Sequence, residues 1–430
     1  MARIVVVGGG FGGIATALRL AKLRHDVVLL ERDDRLGGRL RPREHGEFSW
    51  DRHSESFTLP AVLRDLFRKT GRPLERELDL IHLSTGRRHV FSDRTRLDLP
   101  MGSRGAQANA IDNALGSGGE SWNTWLDSLG PVWEVLRQRV LERPFAGRSD
   151  LDRQHLKTLR PRRAIRTLAR RTFKDHRLRA IVMDAVRAQG QPTRSTPGFV
   201  AVTHHVERLF GRWRIDGGMP ALLATLEGRL DLRGVDVRLG VRALDLAGDA
   251  AGVRGVETPD ETVAADIVVW AAPSPPVSTP DRGLPLIPPA VTHLGLGIDA
   301  PDLPADTVLH ANPVVTIHTG GTSPLGYRTW TVEHSGAGGE DVLTTLARRG
   351  LNVTDFVVDR IDVSPTDRLI ESGPAFGWQW QGWRSALDRP GVGNPPMPGL
   401  YFAGASAHPG PSLELVSLGA AAIADAVGRA

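Results

Sequence analysis

Residues 3–40 read RIVVVGGGFGGIATALRLAKLRHDVVLLERDDRLGGRL. The run from Ile4 to Val7 is short, continuous and apolar, the pattern of a strand buried on both faces of a parallel sheet. Residues 14–23 carry apolar side chains at helical spacing, and residues 26–31 form a second apolar run that ends in an acid. Strand, helix and strand make a βαβ unit. Gly8, Gly10 and Gly13 fall at the strand-to-helix junction as G-x-G-x-x-G. The first glycine allows the tight turn, the second lets backbone N–H groups approach a pyrophosphate, and the third lets helix and strand pack closely. A pyrophosphate held there lies on the positive end of the helix dipole. Glu31 follows at the expected distance of roughly 20 residues, where a carboxylate accepts hydrogen bonds from ribose hydroxyls and repels the 2′-phosphate of NADP. Glycine-rich turns also arise for structural reasons alone, but this complete context predicts a dinucleotide site.

The chain of 430 residues exceeds one comfortable hydrophobic core, so two domains are expected. Its 54 Lys+Arg against 49 Asp+Glu leave a net charge of +5, and with 6% aromatic residues and no nucleic-acid motif the basic balance does not argue for nucleic acid. The absence of cysteine excludes disulfides, thiolate metal sites, Fe–S clusters and a thiol nucleophile. No zinc spacing, Ser-His-Asp order or P-loop is present, so no metal site is expected. The Ile4–Val7 run is too short for a signal segment, and no stretch approaches the roughly 18–20 apolar residues of a membrane span. A soluble, cytoplasmic protein is the expectation.

Arg35 to Leu40 read RLGGRL. This stretch resembles the flavoprotein amine oxidase and phytoene desaturase superfamily, in which Arg-x-Gly-Gly-Arg/Lys follows the βαβ unit and braces FAD. The resemblance continues through "GRWRIDGGMPALLATLEGRL", "GVDVRLGVRALDL", "VRGVETPDETVAADIVVWAAP" and the closing "PGLYFAGASAHPGPSLELVSLGAAAIADAVGRA". It implies FAD as the cofactor. By the same resemblance, the residues that contact FAD are Gly8, Gly10, Phe11, Gly12, Gly13, Glu31, Arg32, Gly38, Arg39 and Leu40, then Val237 at the adenine, and Gly404, Ala405 and Leu415 at the ribityl chain and ring. The implied fold is α/β. A discontinuous Rossmann-like FAD-binding domain spans residues 1–75, 205–275 and 391–430, and an inserted α+β substrate domain of mixed sheet and helices spans residues 76–204 and 276–390. The first insertion is mostly helical by pattern, and the second holds strand-like runs such as "NPVVTIHT" and "YRTWTVEH". Pro273 to Pro289 form a stiff crossing between the domains. Substrate and flavin should meet at the domain interface.

Where phytoene desaturase-like proteins run a glycine-centred, uncharged stretch across the flavin, this chain has Arg52, His53, Ser54 and Glu55. An unpaired buried charge is costly against a hydrocarbon, so these residues suggest a polar substrate. The alternative is that Arg52 and Glu55 pair with each other or face solvent. Trp378 and Trp380, with Trp383 beyond, would form either an aromatic wall for a ligand or part of a core. The last helix should begin near Pro411, which places Glu414 in its first turn, either beside the ring or simply favourable to the helix dipole. His53, Glu55 and Glu414 are therefore the candidate catalytic groups, and Arg52, Trp378 and Trp380 the candidate substrate contacts. Residues 156–186 are dense in arginine; a solvated face is favoured over an anionic membrane surface, with Pro161 breaking the pattern.

The reaction implied by the resemblance is removal of a hydride from a substrate C–H, with a proton lost from the neighbouring atom, giving C=C or C=N in a small, polar metabolite. Oxygen or a quinone would be the electron acceptor. A desaturase acting on an isoprenoid or carotenoid at a membrane surface, or a non-catalytic FAD-binding escort module, are the alternatives.

Overall fold

The computed structural model describes the chain except residues 53, 55, 274–275, 278–283, 285, 335–339, 373–377 and 388. The opening apolar run becomes the strand Arg3–Val7, at the centre of a five-stranded parallel sheet. Across that sheet the order is Leu400–Phe402, Ile267–Trp270, Arg3–Val7, Asp26–Leu30 and Asp236–Arg238. The register pairs Ile4 with Val27 and Ile267, and Val6 with Leu29 and Val269. Ile4 and Val6 point to one face, where helices Phe11–Lys22, Gly218–Leu232 and Leu413–Val427 contribute Ile14, Leu18, Leu222, Leu226, Ala420 and Ile423 to a single core. Val5 and Val7 point to the other face, against Val253, Val256 and Val263 of a three-stranded antiparallel sheet. Burial on both faces explains why the strand shows no polar alternation.

A second sheet has seven strands in the order Val357–Val363, Ala290–Gly297, Tyr327–His334, Val315–Thr319, Asp306–Leu309, Thr85–Val90 and Arg96–Pro100. It is mixed, because Thr85–Val90 and Asp306–Leu309 run parallel while the other neighbours are antiparallel. The first insertion, expected to be mostly helical, thus supplies two strands to a sheet otherwise built from the second. Its helices pack around Trp122, Trp125, Leu126, Phe173 and Phe199 in a separate apolar cluster.

The arginine-dense segment divides into helices Arg153–Leu159, Ile165–Thr172 and His176–Arg187, broken at Arg160, whose φ is +48°, and Pro161. The last helix begins at Leu413, two residues after Pro411, because the Ser412 hydroxyl caps it by accepting from the Leu415 N–H. Part of the Pro273–Pro289 crossing lies outside the described residues. Among the described residues, no helix is long and apolar enough to cross a membrane.

Candidate functional site

Gly8 closes the first strand at φ +103°, and its N–H donates to the Leu30 carbonyl at 2.8 Å. A side chain here would press on the backbone of Ala272, at 3.0 Å. At Gly13 a Cβ would lie 1.9 Å from the Gly8 carbonyl oxygen, so helix and strand are in backbone contact. At Gly12 it would strike Gly404 at 2.6 Å, which brings the amino-terminal turn and the carboxy-terminal turn together. Gly10 differs, because a Cβ there meets nothing within 4 Å and points into open space. Helix Phe11–Lys22 starts at Gly10 with no side-chain cap and no acid in its first turn, which leaves its N–H groups for an external anion.

Glu31, just past the second strand, accepts from the Gly9 N–H at 2.6 Å and the Asp33 N–H at 2.9 Å, so its carboxylate is fixed at the rim of the turn. Gly37, at φ +108°, donates to the Gly9 carbonyl at 2.8 Å and bridges to Gly10. The RLGG stretch therefore lies directly on the first turn. The cradle at Gly10, the uncapped helix and the rim carboxylate fit an adenine dinucleotide.

The remaining expected cofactor contacts scatter around this turn. Phe11 and Leu40 are buried in the adjoining core. Val237 pairs with Leu29 at the sheet edge. Arg32 is exposed, with Nε 3.6 Å from Asp33. Gly404 sits at φ +86°, and the Ala405 carbonyl accepts from Arg389 at 2.9 Å. Leu415 is the residue whose N–H Ser412 caps. Arg39 lies close enough to feel Arg368 of helix Pro365–Ser372 and Glu333 of the seven-stranded sheet; burial and Arg368 lower its pKa to about 10, against the pull of Glu333.

His53 and Glu55 lie outside the described residues. Arg52 stands 3.6 Å from Glu371. Glu414 is buried and accepts from the Thr58 N–H at 3.3 Å, with burial raising its pKa. It ties the last helix to the start of helix Pro60–Thr70. Trp380 sits in the helical cluster, where its backbone N–H donates to the Gln191 side-chain oxygen at 2.8 Å and its carbonyl accepts from the Ser195 hydroxyl at 2.9 Å. The half-buried Trp378 is held through its carbonyl by Gln191 at 3.2 Å, and no described strand runs through the two tryptophans.

The densest chemistry was not anticipated. Glu207 is clamped between Arg87, at 2.7 and 2.8 Å, and Arg212, at 2.7 Å. Arg212 also donates to Asp306 at 2.6 Å and to the Ser56 hydroxyl. Asp306 accepts from Ser56 at 2.7 Å, from Ser54 at 3.1 Å and from His318 Nδ1 at 2.5 Å. His318 Nε2 faces Glu333 at 3.9 Å, and Glu333 faces Arg368 at 3.4 Å. Burial would raise Glu207, but the two arginines outweigh it and hold its carboxyl at about 2. Burial would likewise raise Asp306, yet Arg212 and the His318 hydrogen bond hold it well below the ordinary carboxylate value. Burial would lower His318, but Asp306 and Glu333 push it up to about 9, so it is an imidazolium at neutral pH.

These groups share one face of the seven-stranded sheet. Val315, Ile317, Trp330 and Val332 project to an apolar core, and the alternating Thr316, His318, Thr331 and Glu333 project to the opposite side. The signal was therefore present in "NPVVTIHT" and "YRTWTVEH" as polar alternation, a pattern that ordinarily marks a solvent face. Here that face is buried against Ser54, Ser56, Arg212 and Arg39.

A family model for flavin-containing amine oxidoreductases matches residues 11–335. A phytoene dehydrogenase of Streptomyces griseus is 30% identical over 321 residues, 71% of this chain, and the chain spans only 62% of that relative's length. A hydroxyneurosporene desaturase of Cereibacter sphaeroides is 25% identical over 99% of this chain and 97% of its own. Among solved structures, a putrescine oxidase bound to putrescine superposes with a TM-score of 0.67 at 15% identity, covering 99% of this chain and 98% of that one. Cyclohexylamine oxidase from Brevibacterium oxydans gives 0.67 at 16%, covering 99% of each. At these identities the structures speak to the fold, which is theirs.

Proposed function

The chain belongs to the family of flavin-containing amine oxidoreductases, and from that premise we propose that it removes a hydride from a C–H bond of a small, polar metabolite, leaving C=C or C=N. It is an FAD-dependent oxidoreductase with a Rossmann-like α/β fold. FAD, when bound, supplies the hydride acceptor. The uncapped helix at Gly10 would hold the pyrophosphate, Glu31 the adenosine ribose, and Arg39 the side of the cofactor nearest the seven-stranded sheet, with Val237, Gly404, Ala405 and Leu415 lining the rest. In this reading residues 1–75, 205–275 and 391–430 form the FAD-binding domain, and residues 76–204 and 276–390 the substrate domain. The contact of Gly12 with Gly404 supports joining the first and last segments.

The observation that carries the polar substrate is the buried face formed by Ser54, Ser56, Arg212, Asp306, His318 and Glu333. Burying several charges is unfavourable unless each is paired, and apolar side chains would pack such a face at no loss of stability. Its presence fits a role in orienting a polar substrate, with His318 holding a proton at Nδ1 against Asp306. Oxygen or a quinone is the acceptor we propose.

Anaerobic mixing with panels of amines, polar alicyclic compounds and isoprenoids tests this reading. Bleaching of the yellow flavin band by a polar compound is expected. Bleaching by isoprenoids alone would favour a carotenoid desaturase, the second reading, which the names of the relatives from Streptomyces griseus and Cereibacter sphaeroides support. No bleaching by any class would favour an escort module. His318→Gln should keep its FAD and lose about 10²-fold or more in kcat/KM for the polar substrate.

A further inference from the structure

The helical layer contains a cavity of about 330 Å³ that shares no residue with the glycine turn or the buried charged face. Trp125, Leu129, Val132, Leu159, Leu168 and Phe199 form its apolar wall, and Lys157, Arg160 and Arg163 stand around it. Trp125 is 4% exposed, and its indole N–H has no hydrogen-bond partner among the described residues. No described carboxylate pairs with Lys157, Arg160 or Arg163. Some arginines of this layer are matched, Arg137 with Glu134 at 2.7 Å, Arg177 with Asp175 at 2.8 Å and Arg208 with Asp127, but what sets Lys157, Arg160 and Arg163 apart is that they gather at the rim of one apolar cavity. Three unmatched cations beside an apolar cavity are complementary to a molecule that is anionic at one end and apolar at the other.

We propose that this cavity is a second binding site, for an anionic amphiphile whose carboxylate or phosphate meets Lys157, Arg160 and Arg163 and whose apolar body lies against Trp125, Leu159 and Phe199. The volume is that of a small-ligand site and admits a short chain or a single ring system. The charged end makes charge-assisted hydrogen bonds to the cations, and the apolar wall supplies burial. The site is independent of the hydride-transfer reading and stands or falls separately from it.

Calorimetric titration of the FAD-loaded protein with octanoate and octyl phosphate tests the assignment. Saturable one-to-one binding is expected, about tenfold or more tighter than that of octanol or inorganic phosphate. Exchanging Lys157→Gln and Arg163→Gln together should weaken octanoate about tenfold or more while octanol is unchanged. Leu168→Trp, which fills the cavity, should abolish both. FAD content and flavin bleaching should stay as in the parent protein. Phosphatidylglycerol vesicles distinguish the source of the ligand: competition with octanoate identifies a lipid head group, and its absence a free metabolite, and both agree with the assignment. Octanol binding as tightly as octanoate, undiminished octanoate affinity in either variant, or no saturable binding would overturn it.

Discussion

His318 shows how a single side chain can be placed by sequence and still be misread. Its alternation with Val315 and Ile317 identifies a strand with one polar face, but only tertiary packing reveals that the face is buried and that Asp306 lies within hydrogen-bond distance. Because its pKa rises from 6.5 to about 9 on folding, the folded chain holds this proton more tightly than the unfolded one. The associated stability is complete below pH 6.5 and fades as the pH rises through about 9. Urea denaturation across that range should therefore show an alkaline decline that His318→Gln flattens; an unchanged slope in the variant would mean that another group carries it. Glu414 gives the opposite lesson. Its position in the first turn of the last helix was legible, but its bond to the Thr58 N–H was not, since that partner is 356 residues away.

Among elements, the glycine turn was the most legible, because each glycine answers a local steric demand that sequence spacing reports. The structure divides those demands into two kinds. Gly13 is required by the protein itself, since a Cβ would overlap the Gly8 carbonyl, whereas Gly10 faces open space. Gly13→Ala should accordingly lower the melting temperature whether or not FAD is present. Gly10→Val should leave the apoprotein's melting temperature nearly unchanged and abolish the flavin absorbance that co-purifies with it. Equal thermal losses in both variants would remove the distinction. The two strands Thr85–Val90 and Arg96–Pro100 were hidden for the reverse reason. The first, "TGRRHV", is rich in arginine, and Arg87 and Arg88 are tolerated in it because Glu207 and Asp98, the latter on the second strand, pair with them.

For the molecule as a whole, Glu207 is a junction between segments distant in sequence. It holds Arg87 of the first insertion, and Arg212 continues the chain of contacts to Asp306 of the second. Glu207→Ala leaves two buried guanidinium groups facing each other and should cost roughly 3–5 kcal/mol in chemical denaturation. Glu134→Ala, which removes a carboxylate from an exposed, solvent-screened pair with Arg137, should cost far less. Similar losses would show that the buried cluster is no more important than surface charge. Binding of FAD at a hundredfold excess over Kd should add about 2.7 kcal/mol to the folded state, visible as a drop in melting temperature when the cofactor is stripped.

The contact between Gly12 and Gly404 also bears on the order in which the protein is made. The turn at Gly12 packs against Gly404, which leaves the ribosome far later, and the strand Leu400–Phe402 completes the sheet edge only then. Nascent chains halted before that strand lack one wall of the crevice, so cofactor uptake must follow its synthesis. A chain stopped at residue 399 should therefore remain colourless, and the yellow colour can report that the sheet has closed.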